Sequence, residues 1–353
     1  MRFEKIYIEL SDICGLNCGF CPSVKGVRGA MSVEKFGIIA KKVAGVGRIY
    51  TFHLLGDPLV LPNLKDFIKL ANAHKMPLEL TTSGFYMSEK NTQLLLESEN
   101  IRQINLSLMA FLAQKKLNLN EYFTPILRFL RLHLAQNSQS FVNLRLWNLG
   151  ANFTPPFENS AIYSLLEREF NTKIQKNAPK NRLENRIILH QSELFCWAGA
   201  KADDLGVQKE FANLQDKANL KSTQKGIANA HIVGKTSFEK AFMKENSKIK
   251  DTKNLKNANF ANLQGEKNAP KVPCAKGSCH ALRKQIGILS DGTVVPCCMD
   301  TSGVMGLGNL FTQELSEILA NKRAVAMKKG FERGEFTEKL CQQCEFGRKK
   351  TRH

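Results

Sequence analysis

The stretch Cys14-Gly-Leu-Asn-Cys18-Gly-Phe-Cys21 constrains this chain more than any other. It directly follows Phe3 to Leu10, where Ile6, Ile8 and Leu10 alternate with Lys5, Tyr7 and Glu9 in the period of a strand. Three thiols on a glycine-containing loop, with three and then two residues between them, can converge on one point. The spacing suits three corners of a cubane iron-sulfur cluster, with the fourth iron left without a thiolate nearby. Spacing alone also leaves open a zinc site, a structural metal knuckle, or three packed thiols.

The segments that follow keep a regular rhythm. Ser32 is placed to cap a helix through Glu34, Phe36, Ile38, Ile39 and Val43, which ends at Gly45 and Gly47. A second strand, Arg48 to Leu55, runs into Gly56-Asp57-Pro58. Helix (Asn63 to His74), strand (Leu78 to Thr81), helix (Ser88 to Glu97) and strand (Ile101 to Leu108) come next. Leu117 to Gln136 reads as helical but interrupted by Pro125, and Phe141 to Trp147 reads as a fifth strand. Ala161 to Phe170 is a further helix and Arg186 to His190 a sixth strand. Alternation of this kind predicts a parallel β/α domain. Arg145 stands in an otherwise apolar strand, so it must reach the open end of the sheet or find a partner. Cys196, isolated in Phe195-Cys196-Trp197, reads as packing.

From about residue 200 to 271 the composition shifts to Asn, Lys and Ala, and Phe-Ala-Asn-Leu-Gln occurs at Phe211 to Gln215 and again at Phe260 to Gln264. The copies are too irregular to stack as a solenoid, and their polarity predicts a flexible insertion. A second cysteine group follows. Cys279 and Cys297 flank Gly287 to Pro296, which reads as a hairpin turning at Asp291-Gly292. Asp300, Gly308-Asn309-Leu310, a helix from about Gln313 and Cys341-Gln342-Gln343-Cys344 complete it. Four thiols suffice for a cubane cluster or for a structural zinc. Cys274 and Cys298 are left as spares.

The CxxxCxxC triplet after the first strand resembles the signature of the radical S-adenosylmethionine (SAM) superfamily. The terminal group resembles that superfamily's auxiliary-cluster domain, in the short twitch form rather than the longer SPASM form, because the chain ends nine residues after Cys344. The resemblance implies a partial (β/α)6 TIM-like barrel over residues 1–199, the insertion at 200–271, a small β-hairpin/α auxiliary domain at 272–346 and a basic tail at 347–353. It implies a 4Fe-4S cluster on Cys14, Cys18 and Cys21 whose open iron is chelated by SAM, and a second 4Fe-4S cluster on Cys279, Cys297, Cys341 and Cys344. Gly56-Asp57 resembles the Gly-Glu-Pro turn that meets the SAM ammonium, with Asp for Glu and with Leu55 where glycine is commoner. Ser83 stands for the asparagine of a Thr-Asn-Gly loop, and Ser107 and Arg145 fall where relatives contact SAM.

The implied activity is reductive cleavage of SAM to a 5′-deoxyadenosyl radical that abstracts hydrogen from a small-molecule or peptide substrate. The expected electron donor is a one-electron reductant such as flavodoxin or ferredoxin. The formal charge of +19 would attract anions, and it keeps RNA or tRNA modification as the alternative reaction. No compact nucleic-acid motif accompanies that charge, so a nucleic-acid partner is not favoured. A non-catalytic iron-sulfur electron-transfer or scaffold protein is the alternative from another class. The sequence shows no secretory signal pattern and no apolar run of about eighteen residues, and its ten cysteines fall mainly into an N-terminal triplet and a C-terminal group with ligand spacing; the expectation is a cytoplasmic chain without a membrane partner.

Overall fold

The computed structural model describes residues 2–22, 27–114, 116–195, 197, 278–344 and 346. Cys196, Cys274, the insertion at 200–271 and the basic tail lie outside the described residues. The described residues belong to a compact unit formed by 1–218 and 274–353. It is a mixed α/β structure built on one ten-stranded sheet.

Strand β1 (Phe3–Ile8) leads through the cysteine loop to α1 (Val33–Val43) and β2 (Gly47–Phe52). Then come α2 (Leu64–Ala73), β3 (Leu78–Thr82), α3 (Glu89–Glu97) and β4 (Ile101–Ser107). A short α4 (Met109–Leu112) precedes α5 (Leu119–Ala135), β5 (Phe141–Leu149) and α6 (Ser160–Glu169). Strands β1 to β5 pair in parallel, and β7 (Ile187–Glu193) joins β5 in parallel as the expected sixth strand. It is longer than the sequence suggested, and β6 (Lys180–Glu184) pairs against it as an unanticipated antiparallel edge.

Periodicity along the strands decides what each face of the sheet does. Ile6, Ile8, Tyr50, Phe52, Leu78, Leu80, Ile104, Leu106, Val142, Leu144, Leu146 and Leu189 are buried in the main apolar core. Phe36 and Phe67, the aromatic anchors of α1 and α2, meet edge to face at 5.4 Å, and Phe36 meets Phe52 at 5.5 Å. The residues between them, including Lys5, Tyr7, Thr51, Glu79, Asn105, Asn143, Arg145 and His190, line a cavity on the other face. Ser32 caps α1 as the sequence predicts, accepting a hydrogen bond from the Lys35 amide at 3.2 Å.

Helix α5 corrects one expectation, because it runs unbroken through Pro125. A proline there costs about 3 kcal/mol. Seven buried side chains, from Tyr122 to His133, outweigh that cost by anchoring both halves of the helix to the core.

The C-terminal segment continues the sheet. Strand β8 (Gln285–Ile288) pairs in parallel with β1, and the predicted hairpin carries it into β9 (Thr293–Val295), with β10 (Gly308–Asn309) beyond. Helices α7 (Leu315–Ala320), α8 (Lys322–Glu332) and α9 (Lys339–Gln343) close the segment. Lys42 of α1 donates to the Leu310 and Gln313 carbonyls at 2.9 and 2.8 Å, tying that segment to the first β/α unit. Among the described residues no helix is long and apolar enough to cross a membrane.

Candidate active site

The polar face of the parallel strands, the cysteine loop and the C-terminal segment enclose a cavity of about 450 Å³. Cys14, Cys18 and Cys21 all line it, as do Gly56, Asp57, Ser83, Ser107 and Arg145. The structure therefore brings every N-terminal candidate residue to one place. The cysteine loop has its own local order, with the Cys21 amide bonded to the Cys18 carbonyl at 3.0 Å and the Gln114 side-chain amide 3.5 Å from the Cys18 sulfur. Gly15 leaves room for the tip of Tyr86, since a Cβ there would lie 1.8 Å from the Tyr86 hydroxyl.

The turn at Gly56-Asp57 is held against the chain entering that loop. Gly56 has φ of +71°, and a Cβ on it would fall 2.2 Å from the Ser11 carbonyl oxygen. The Asp57 amide bonds to the Ile13 carbonyl at 3.1 Å. The Asp57 carboxylate accepts from the Leu59 amide (3.0 Å), the Thr82 hydroxyl (2.9 Å), and the Ser83 amide (2.8 Å) and hydroxyl (2.6 Å). Burial nevertheless pushes its pKa above the ordinary value, because four hydrogen bonds compensate only part of the lost hydration. Asp57 thus fixes the loop after β3 to the loop after β2. Tyr122 extends the brace by donating its hydroxyl to the Ser83 carbonyl.

Residues that the sequence reading passed over form the frame. Glu9 is fully buried and accepts a fork from Arg28, with Nε at 2.8 Å and a terminal nitrogen at 2.9 Å. It also accepts from the Leu55 amide at 3.3 Å and the Ser290 amide at 3.2 Å. One carboxylate thereby joins the cysteine loop, the turn after β2 and the C-terminal hairpin. Asp12 takes the Arg28 and Gly29 amides, both at 2.9 Å. Deeper in the cavity Lys5 pairs with Glu79 at 2.6 Å, and Glu79 also accepts from Asn105 at 2.8 Å. The signal for Lys5, Glu79 and Asn105 was their position on alternate strand residues, which only sheet pairing turns into a shared face.

At the other end, Cys279, Cys297, Cys341 and Cys344 line a single small cavity with Met299, Met305, Phe336 and Leu340. Cys298 lines the large cavity instead, where it shares a hydrogen bond with the Tyr7 hydroxyl. Burial raises the Cys297 thiol well above its ordinary pKa, and neighbouring thiols add to the effect. Cys341 is pushed up to about 12, first by burial and then by Cys279 and Cys344. Thiolates gathered in an apolar pocket require a cationic centre, so the donor chemistry fits a thiolate-ligated cluster. Among the described residues no three His, Cys, Asp or Glu side chains are grouped around one metal-ion position.

A sequence-family profile described as the radical SAM superfamily matches residues 8–133, and one for a SPASM iron-sulfur cluster-binding domain matches 279–345. Residues 8–133 are thereby identified as a radical SAM domain and residues 279–345 as a C-terminal SPASM iron-sulfur domain.

No curated protein matches this chain in sequence. Among solved structures it is similar to Streptococcus suis SuiB bound to the precursor peptide SuiA, at 14% identity and a TM-score of 0.54, covering 97% of this chain and 70% of that one. It is also similar to native anSMEcpe with bound AdoMet, at 16% identity and a TM-score of 0.53 over 99% and 91% of the two chains. BtrN in complex with AdoMet and 2-DOIA aligns at 14% identity and a TM-score of 0.50, over 98% and 93%. At such identities the likeness is one of fold.

Proposed function

We propose that this protein is a two-cluster radical SAM enzyme that oxidises or otherwise modifies a small molecule or a peptide side chain. In this reading β1 to β5 and β7 form a partial (β/α)6 barrel. One observation supports it above the rest: Cys14, Cys18 and Cys21 share a cavity with Cys298 and Met299, the two residues that follow Cys297 in the chain. A substrate in that cavity would sit between the two cysteine sets.

Cys14, Cys18 and Cys21 would hold a 4Fe-4S cluster that leaves one iron for SAM, and Cys279, Cys297, Cys341 and Cys344 would hold a second, fully ligated one. Held there, the two groups would supply one-electron chemistry: reductive cleavage of bound SAM at the first cysteine set, and uptake of an electron from a substrate radical at the second. The chain's own residues orient and enclose. Gly56 and the Asp57 brace set the turn that would face the SAM ammonium, with Ser83 and Ser107 beside it. Phe20, Trp147, Phe195, Trp197 and Phe346 form an aromatic wall, with successive ring centroids 4.6, 4.7, 5.7 and 5.0 Å apart for Phe20–Trp147, Trp147–Phe195, Phe195–Trp197 and Phe195–Phe346. Such a wall keeps water from a reactive centre and holds the reacting carbon in place. A flavodoxin or ferredoxin would deliver the electron.

The test is anaerobic reconstitution with iron and sulfide, followed by dithionite and SAM. About eight irons per chain, the sum of two cubanes, together with release of 5′-deoxyadenosine are expected. The Cys14→Ala/Cys18→Ala/Cys21→Ala variant should lose nucleoside release and keep about half the iron. Release by that variant would sink the assignment. Full iron content without release, even after substrate candidates are added, would favour an electron-transfer role.

A further inference from the structure

The aromatic wall of the cavity begins in one cysteine set and ends beside the other. Phe20 stands between Cys18 and Cys21, and Phe346 stands two residues beyond Cys344. Between them the rings follow one another: Phe20 meets Trp147 at 4.6 Å, Trp147 meets Phe195 at 4.7 Å, and Phe195 meets Phe346 at 5.0 Å. Trp197 packs on Phe195 at 5.7 Å. All five rings line the cavity.

The two ends of the wall are held differently. Phe20 belongs to a loop pinned through its backbone, by the Cys21 amide on the Cys18 carbonyl at 3.0 Å and the Asp57 amide on the Ile13 carbonyl at 3.1 Å. Phe346 is 48% exposed. It follows α9, a helix of five residues, far shorter than the roughly twelve at which a helix becomes marginal on its own. The apolar residues with which α9 and its C-cap meet the core are Leu340 and two thiols, Cys341 and Cys344. Ordering two residues of a chain end costs more than one ring contact on a half-exposed side chain provides. The contact with Phe195 therefore cannot hold Phe346 unaided. The anchor is Cys344, because two residues of chain reach at most about 7 Å.

We infer that Phe346 is a positioning residue: it carries the occupancy of the C-terminal cysteine set to the aromatic wall, which packs fully only when Cys341 and Cys344 are held in their cluster. The inference rests on the two-cluster reading and adds a role for the second set that needs no electron transfer. With that set empty, the wall loses the ring at its end and water reaches the tryptophans. With it filled, the cavity is closed against water where the radical chemistry would take place.

Both tryptophans of the chain, Trp147 and Trp197, lie in the wall, so their accessibility to acrylamide reads its closure. The bimolecular quenching constant is taken from the Stern–Volmer slope and the fluorescence lifetime, which removes the effect of energy transfer to iron. It is compared between the cluster-free and the reconstituted full chain, with iron counted on each sample. Loading should lower the constant by about twofold or more, the scale on which one ring contact shifts an open–closed equilibrium. The Cys14→Ala/Cys18→Ala/Cys21→Ala variant, which can load only the C-terminal set, should show the same fall. Phe346→Ala should take up as much iron as wild type and show no fall, and Phe346→Tyr should restore it.

An equal fall in Phe346→Ala would mean that loading orders the wall by another route, and the inference is overturned. It is overturned equally if the loaded wild type shows no fall, or if the triple variant loads without one. Loss of iron uptake in Phe346→Ala would assign the residue to cluster assembly instead, and overturns it too. A triple variant that takes up no iron would overturn the two-cluster reading itself, and this inference with it. The iron count thus separates the two failures.

Discussion

Replacing Arg28 by methionine tests how the frame of the site is held. The Arg28 side chain is 9% exposed and the Glu9 side chain not at all, so the pair is shielded from solvent. Removing one partner of a buried pair costs about 3–5 kcal/mol, because the remaining charge stays desolvated. Glu9 would keep the Leu55 and Ser290 amides at 3.3 and 3.2 Å, both long for charge-assisted bonds. We therefore expect a loss of about 3–4 kcal/mol in Arg28→Met. Glu9→Gln in the same chain removes the charge yet keeps an oxygen for the two amides. The double variant should recover about 1–2 kcal/mol of that loss, a coupling of the size that residues in contact show. Urea unfolding of the chain before cluster assembly measures both values, compared at constant m-value. A loss below about 1 kcal/mol in Arg28→Met, the scale of an exposed pair, would refute the reasoning. So would strict additivity in the double variant.

Gly56→Ala should cost at least about 2 kcal/mol, since a side chain at positive φ is disfavoured and the new Cβ meets the Ser11 carbonyl at 2.2 Å. Thermal unfolding and nucleoside release should fall together; an unchanged melting temperature would contradict the geometry. Cys297→Ser should lower the iron content of the reconstituted chain, whereas Cys298→Ser should not, because only Cys297 lines the four-thiol cavity. Equal losses in the two variants would show the ligand to be misassigned. The His53 pKa is lowered to about 3 by burial, helped by Arg145 and Lys5. Below the unfolded value of about 6.5 the unfolded chain takes up a proton that the folded chain refuses, so stability falls with pH by about 1.4 kcal/mol per unit and levels off only near the folded pKa. His53→Gln should flatten unfolding free energy between pH 6.5 and 5 by about 2 kcal/mol relative to wild type; parallel curves would exclude this cause.

The order of strands and helices was legible because apolar period and turn residues are local properties. Ser32 capped its helix and Asp291-Gly292 turned its hairpin where the residues themselves demand it. Pro125 misled, because its cost is local whereas the gain that overrides it comes from seven side chains buried in the core. Strand β6 went unseen, since Lys180 to Glu184 has too few apolar residues to mark an edge strand from within.

The sequence determined on its own which thiols could act together, because ligand spacing is written along the chain: the CxxxCxxC triplet and the closing CxxC need only a loop and a turn. Tertiary structure decided which residues share a space with them. Glu9 meets Leu55 and Ser290 across intervals of 46 and 281 residues, and Thr51 of β2 and His53 just after it share one cavity with Arg145 of β5. Whether Arg145 was paired or free could not be read from β5, since every candidate carboxylate lay on another strand. Its environment was fixed by sheet pairing, which places Ser107 and His190 beside it and gives Glu79 to Lys5.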